Sequence, residues 1–273
     1  LQVIHNSPYS SAAVVDVYAN DALLLDDFAF RDSSPYVDVP AQVDVKLDIT
    51  AADAPDNSNP VFSTTVNLGE ATYVAIAGGD PAGGEGQPEF DLAVSDMGRE
   101  AAGDASEVDL FVFHGSPDAP AVDVLGRGVG PLVQNIAYPE FASDYLSVAP
   151  AAYTLDITPT GDNENVVASF DADLSGLGGG AAVVAASGFL SPPSETDPAF
   201  GLLAVFADGS TALLPAVDVP AARLQVIHNS PYAAAAVVDV YANGSLLLDD
   251  FAFRDASPFV DVPAKVDVTI DIT

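Results

Sequence analysis

Histidine, serine and aspartate occur together near the start of the chain as His5, Ser7 and Asp16. The trio returns as His114, Ser116 and Asp123, and again as His228, Ser230 and Asp239. These are the side chains of nucleophilic hydrolysis, in which an imidazole takes the serine proton and a carboxylate orients the imidazole. Their spacing argues against that chemistry. Two residues apart on an extended strand, His5 and Ser7 lean to the same side but sit about 7 Å apart along the backbone. Neither a nucleophile elbow nor an oxyanion loop accompanies them. A proline follows each serine, as Pro8, Pro117 and Pro231, and a Ser-Pro pair ends a strand while the hydroxyl caps the turn. The trio is expected to be structural, with the imidazole filling the rim of the fold and bonding a backbone carbonyl. No catalytic residue is assigned, and the chain reads as a non-enzyme.

Carboxylates offer a second chemistry. Asp26, Asp27 and Asp32 lie close together, with copies at Asp249, Asp250 and Asp255, and a loop further on carries Asp80, Glu85, Glu89 and Asp91. Calcium takes six to eight oxygens folded onto one point by a turn. No D-x-D-x-D-G loop is present, and Gln134-Asn135 stands where the first copy has Asp26-Asp27. Asp26, Asp27, Asp32, Asp80 and Glu85 therefore stand as weak calcium candidates against the simpler reading of a solvated acidic face, and no other cofactor is expected.

Acidity extends over the whole chain: 40 Asp and Glu against 7 Lys and Arg, for a formal charge of -33. Such a surface repels nucleic acid and anionic membranes and attracts cations, so neither nucleic acid nor direct membrane insertion of this segment is expected. Salt adaptation and calcium loading explain the acidity equally well. With no cysteine, disulfides and thiolate chemistry are excluded.

Repetition gives the organisation. Residues 1–50 and 224–273 align without a gap and differ at nine positions, and a more distant copy starts at Leu110 with "LFVFHGSPDAPAVDV". The unit is about the length of a domain. Two unlike types alternate: residues 1–108 are the first type, 109–222 the second, and 223–273 the first half of a third unit that nearly copies residues 1–50. The chain reads as a window onto a longer periodic protein, so residues before Leu1 are expected to resemble "VDVPAAR" and those after Thr273 "AADAPDNSNPVFSTTV". The rival expectation is that strands of another molecule complete the half-unit.

The units read as all-β. In "QVDVKLDIT", Val43, Val45, Leu47 and Ile49 alternate with Asp44, Lys46 and Asp48, the period of a strand with one wet face. Tyr153, Leu155 and Ile157 keep the phase in the second unit, and Val266, Val268, Ile270 and Ile272 in the third. Clusters of Pro, Gly, Asn and Asp separate such runs, "GLGGG" at 176–180 reads as a hairpin turn, and no helical stripe is evident. Six to eight short strands per unit predict two-sheet sandwiches.

The segments "FVFHGSPDAPAVDV" and "DYLSVAPAAYTLDITPTG", with looser counterparts in "VIHNSPYSSAAVVDVY" and "YVDVPAQVDVKLDIT", resemble a family catalogued as domain of unknown function 4397. The resemblance implies tandem immunoglobulin-like β-sandwich domains of a secreted bacterial or archaeal surface protein, and it implies no activity. The expected function is a structural repeat protein, an extracellular or cell-surface filament or stalk used in adhesion, whose partners are neighbouring repeats or other copies of itself. The short join "PAVDVPAAR" is expected to hold neighbouring units in a fixed orientation. The alternative is a glycan- or calcium-binding module of a larger secreted protein. With no tryptophan, a sugar-stacking platform is disfavoured.

Overall fold

A computed structural model describes residues 1–84, 86–242, 244–264 and 269–273 of the chain, which are all-β apart from two short 3-10 turns, Ser10–Ala12 and Ala233–Ala235. The first unit contains β1 (Gln2–His5), β2 (Val14–Ala19), β3 (Ala22–Ala29), β4 (Asp44–Ala51), β5 (Phe62–Asn67), β6 (Val74–Gly78) and β7 (Asp91–Ser95). They form two sheets, in the orders β1-β6-β7 and β3-β2-β4-β5, and β1 runs parallel to β6.

The second unit repeats this plan with extra edge strands. It contains β8 (Val108–His114), β9 (Val122–Gly126), β10 (Gly130–Ile136), β11 (Leu146–Val148), β12 (Ala152–Pro159), β13 (Ala168–Asp173), β14 (Ala181–Ser187), β15 (Gly201–Phe206), β16 (Thr211–Leu213) and β17 (Ala216–Val217). Its sheets run β11-β8-β14-β15-β16 and β10-β9-β12-β13-β17, with β8 parallel to β14. The expected six to eight strands thus become seven in the first unit, among the described residues, and ten in the second. The last segment contributes β18 (Ala221–Leu224), β19 (Val237–Ala242), β20 (Ser245–Ala252), β21 (Val260–Pro263) and β22 (Ile270–Ile272), paired as β18-β21 and β20-β19-β22. Val266 and Val268 lie outside the described residues.

Each of the first two units has its own core between its sheets. Val15, Val17, Phe28, Ile49 and Phe90 fill the first, and Val124, Leu155, Ile157, Phe170 and Leu202 fill the second. The alternation in β4 places Ile49 inside, but Asp48 departs from the expected wet face. It is buried where it accepts hydrogen bonds from Lys46 Nζ (2.8 Å), Asn57 Nδ2 (3.0 Å) and Ser63 Oγ (2.6 Å). Its counterpart Asp156 is held by Arg127 and Ser169. Burying a carboxylate is costly unless it is paired or hydrogen-bonded, and at Asp48 and Asp156 scarce basic residues supply the pairing. The "GLGGG" segment is also not a hairpin turn: it carries the chain from β13 in one sheet to β14 in the other. Gly179 N donates to Glu107 O at 2.7 Å there, tying the crossover to the segment between the units.

Candidate functional site: the repeated motif and the face between units

The His-Ser-Asp trio is a set of three separate clamps. His5 lies at the end of β1 and its Nε2 contacts Ala12 O at 2.6 Å; His114 and His228 make the same contact with Pro120 O (3.1 Å) and Ala235 O (2.7 Å). In the first two units the imidazole thereby ties the first strand to the turn that leads into the next. The serines do something else. Ser7 Oγ donates to Gly79 O and Ser116 Oγ to Gly188 O, both at 2.7 Å and both 72 residues away. The hydroxyl therefore does not cap its own turn; it pins the first strand to the turn after its parallel partner strand. Gly79 and Gly188 have φ near +82° and +86°, and a Cβ on either would fall within 2.3 Å of a carbonyl oxygen, so only glycine fits.

The aspartates form the third clamp. Asp16 Oδ1 accepts from Asp27 N at 2.9 Å, Asp123 Oδ1 from Asn135 N at 2.7 Å, and Asp239 Oδ1 from Asp250 N at 2.9 Å. Asp27, Asn135 and Asp250 all have positive φ and sit where the pairing register of the strand pair slips. At such a bulge a backbone N–H loses its ladder partner, and the carboxylate, buried in Asp16 and Asp123 and half-buried in Asp239, supplies one. Pro8 and Pro117 follow the clamped serines and precede the turn, and Pro231 holds the same place after Ser230. Serine and histidine thus serve different carbonyls in the first two copies. Replacing Ser116 with alanine leaves Gly188 O without its donor, and a loss of about 1–3 kcal/mol in denaturant-unfolding stability is expected; an unchanged midpoint would refute the clamp.

Burial lowers the basicity of His5 and His114 below the ordinary histidine value, although the carbonyl contacts and nearby Asp32 and Glu140 pull the other way. A depressed folded-state pKa makes the neutral imidazole the stabilising form. Its contribution is complete above about pH 6.5 and is lost as pH falls from there toward the folded value. The melting temperature is expected to drop between pH 7.5 and pH 5, and His5→Gln with His114→Gln should flatten that slope, because most carboxylates do not titrate in this window.

The outer faces of two sheets meet to make a further core that belongs to neither unit. Ile4 and Ile76 from β1 and β6 pack against Phe111, Phe113, Val183 and Leu203 from β8, β14 and β15, all nearly or wholly excluded from solvent. Phe111 stacks on Phe141 and Tyr145 at centroid distances of 5.0 and 4.7 Å. Polar groups fix the register of the two sheets. Asn6 Nδ2 donates to Ala186 O (3.0 Å), Gln2 Nε2 to Phe206 O (2.7 Å), and Arg31 to Ser187 Oγ and Ala199 O (both 3.0 Å). Asn6 and Gly115 occupy the same place in their motifs, His-Asn-Ser-Pro against His-Gly-Ser-Pro. A Cβ at Gly115 would lie 2.0 Å from Asn6 Nδ2, so one unit must carry the amide and the other must lack a side chain.

A family model, described as a domain of unknown function, DUF4397, matches residues 1–125 and again 108–204. The chain belongs to the DUF4397 family. A search of curated proteins finds no match. In this DUF4397 chain the first match covers the first sandwich and runs on into β9, the second runs from β8 into β15, and the repeated trio supplies clamps in both sandwiches.

The calcium candidates of this DUF4397 protein are scattered. Asp32 Oδ2 accepts from Ala29 N, and Asp80 Oδ1 from Ser11 Oγ and Ala82 N, so each closes its own turn; Glu85 lies outside the described residues. Among the described residues, the one group of three acidic side chains with oxygens within 4.8 Å of one another is Asp239, Asp249 and Asp250. Asp26 and Asp27 belong to no such group. Sequence reasoning missed the interface residues Gln2, Asn6, Arg31 and Gly115. The legible signal was the continuous apolar run of β14, "AAVVAAS", which suits a strand covered on both faces.

Proposed function

We propose that this chain is a structural repeat segment of an extracellular or cell-surface filament or stalk, with adhesion as its use. The observation that carries the reading is the solvent-free core between the first and second units. It makes a rigid four-sheet module out of two unlike sandwiches and accounts for their alternation. The third unit repeats the docking residues. Gln225, Ile227, Asn229, Tyr232, Arg254 and Phe259 stand where Gln2, Ile4, Asn6, Tyr9, Arg31 and Tyr36 stand. Ile227 is 65% exposed where Ile4 is 0%, so this segment offers the face that fits a second-type unit. Asp218, Val219 and Pro220 alone separate β17 from β18, a connection short enough to restrict how modules turn. Filaments built this way gain stiffness from buried apolar area, and the acidic surface keeps neighbouring filaments apart.

The motif geometry supports the non-enzymatic part of the proposal, since the protons of Ser7 and Ser116 and the Nε2 atoms of His5, His114 and His228 are committed to backbone carbonyls. Immunogold labelling of the source cells with an antibody to this segment tests the rest. Labels spaced along surface fibres are expected; labels confined to the cell interior would overturn it.

A further inference from the structure

We infer that the second unit holds a binding site for a small, uncharged, apolar molecule between its two sheets. A cavity of about 210 Å³ lies there, with Leu110, Leu132, Ile136, Ile157, Ala168 and Phe200 among its walls. Its origin is visible in the strand registers. Ala168 faces Ile157 as Phe62 faces Ile49 in the first unit. Ile136 follows the positive-φ Asn135 as Phe28 follows the positive-φ Asp27. The first unit fills these two places with rings: Phe28 lies 6.0 Å from the ring of His5, and Phe62 lies 5.2 Å from that of Phe90. The second unit has Ile136 and Ala168 instead, and the missing rings leave the space.

An unfilled core void is destabilising in proportion to its size, whereas apolar cavities of about 150 Å³ stay dry and take up benzene or xenon. This one is larger and has a mouth, since Val167 and Leu190 in its wall are 51% and 47% exposed. Its chemistry selects the occupant. His114 is the one wall residue with a polar side chain; its Nε2 is engaged by Pro120 O, and its buried Nδ1 has no hydrogen-bond partner. Beside the mouth, Asp118 accepts from Leu190 N and Ser191 N, so a carboxylate guards the entrance of a chain that already carries -33. Anions are repelled, and no carboxylate lines the cavity to pair a cation. A substituted benzene or a compact branched hydrocarbon fits.

The test is calorimetric melting of the whole chain with benzene as the probe and benzoate as its charged counterpart. Benzene should raise the melting temperature, with the rise growing as the logarithm of its concentration once the site is half filled; benzoate should not. Ala168→Phe, which restores the ring of the first-type unit, should raise the melting temperature without ligand and abolish the benzene response. Should that variant not fold, methyl NMR of the unaltered chain decides, with benzene expected to shift Leu132 and Ile157 but not Val183 in the face between units. No benzene response, an equal response to benzoate, or a response retained in Ala168→Phe would each overturn the site.

Discussion

Truncating Phe111 to alanine is expected to destabilise the chain by about 3–5 kcal/mol, the range for removing a large ring from a packed core. The ring points away from the interior of its own sandwich into the core shared with the first unit, where it stacks on Phe141 and Tyr145 and contributes to the cluster that contains Ile4 and Ile76. The loss should therefore fall on both units. In a double-mutant cycle with Ile4→Ala, denaturant unfolding should report a coupling on the order of 0.5–3 kcal/mol, as for residues that share a core. Strictly additive losses would mean that the two sandwiches are stable separately and that their contact contributes little.

Gly115→Val is expected to separate the two units. Its Cβ would lie 2.0 Å from Asn6 Nδ2, 2.7 Å from Ala186 O and 2.9 Å from a ring carbon of Phe113, and two of those three neighbours are not free to give way. Overpacking and the loss of the bonds from Asn6 Nδ2 to Ala186 O and Gly115 O together cost roughly 3 kcal/mol or more. Small-angle scattering should show an increased radius of gyration as the sheets part. Asn6→Ala in the same chain removes the nearest obstacle and should restore part of the loss. A Gly115→Val chain with unchanged dimensions and melting temperature would refute the account of why Asn and Gly alternate at this position.

Strand existence and phase were legible because a sheet with one covered face writes a period of two into the chain. Val45, Leu47 and Ile49 follow it, and so do Leu155 and Ile157. The pattern carries less information about the other face. Asp48 and Asp156 occupy the positions of wet residues, yet both are buried, because Lys46 and Arg127 reach over to neutralise them. A period of two places a residue on a face without saying whether another element covers that face. The serines show a related limit. Ser-Pro marks a strand end correctly, but a hydroxyl has a choice of acceptors, and the one it uses is 72 residues away.

By itself the sequence determined the repeat, the alternation of two unit types, the all-β class and the membership that the "HGSPDAPAVDV" segment points to. All of these depend on local periodicity or on comparing the chain with itself. Only the tertiary structure decided that the units are fused through a buried face, that Asn6 faces Gly115, and that the second sandwich is hollow where the first is filled. Those facts depend on contacts between residues about a hundred positions apart, and on the difference in volume between Phe62 and Ala168 and between Phe28 and Ile136. Hydrophobic pattern treats Phe, Ile and Ala alike, while a close-packed interior does not.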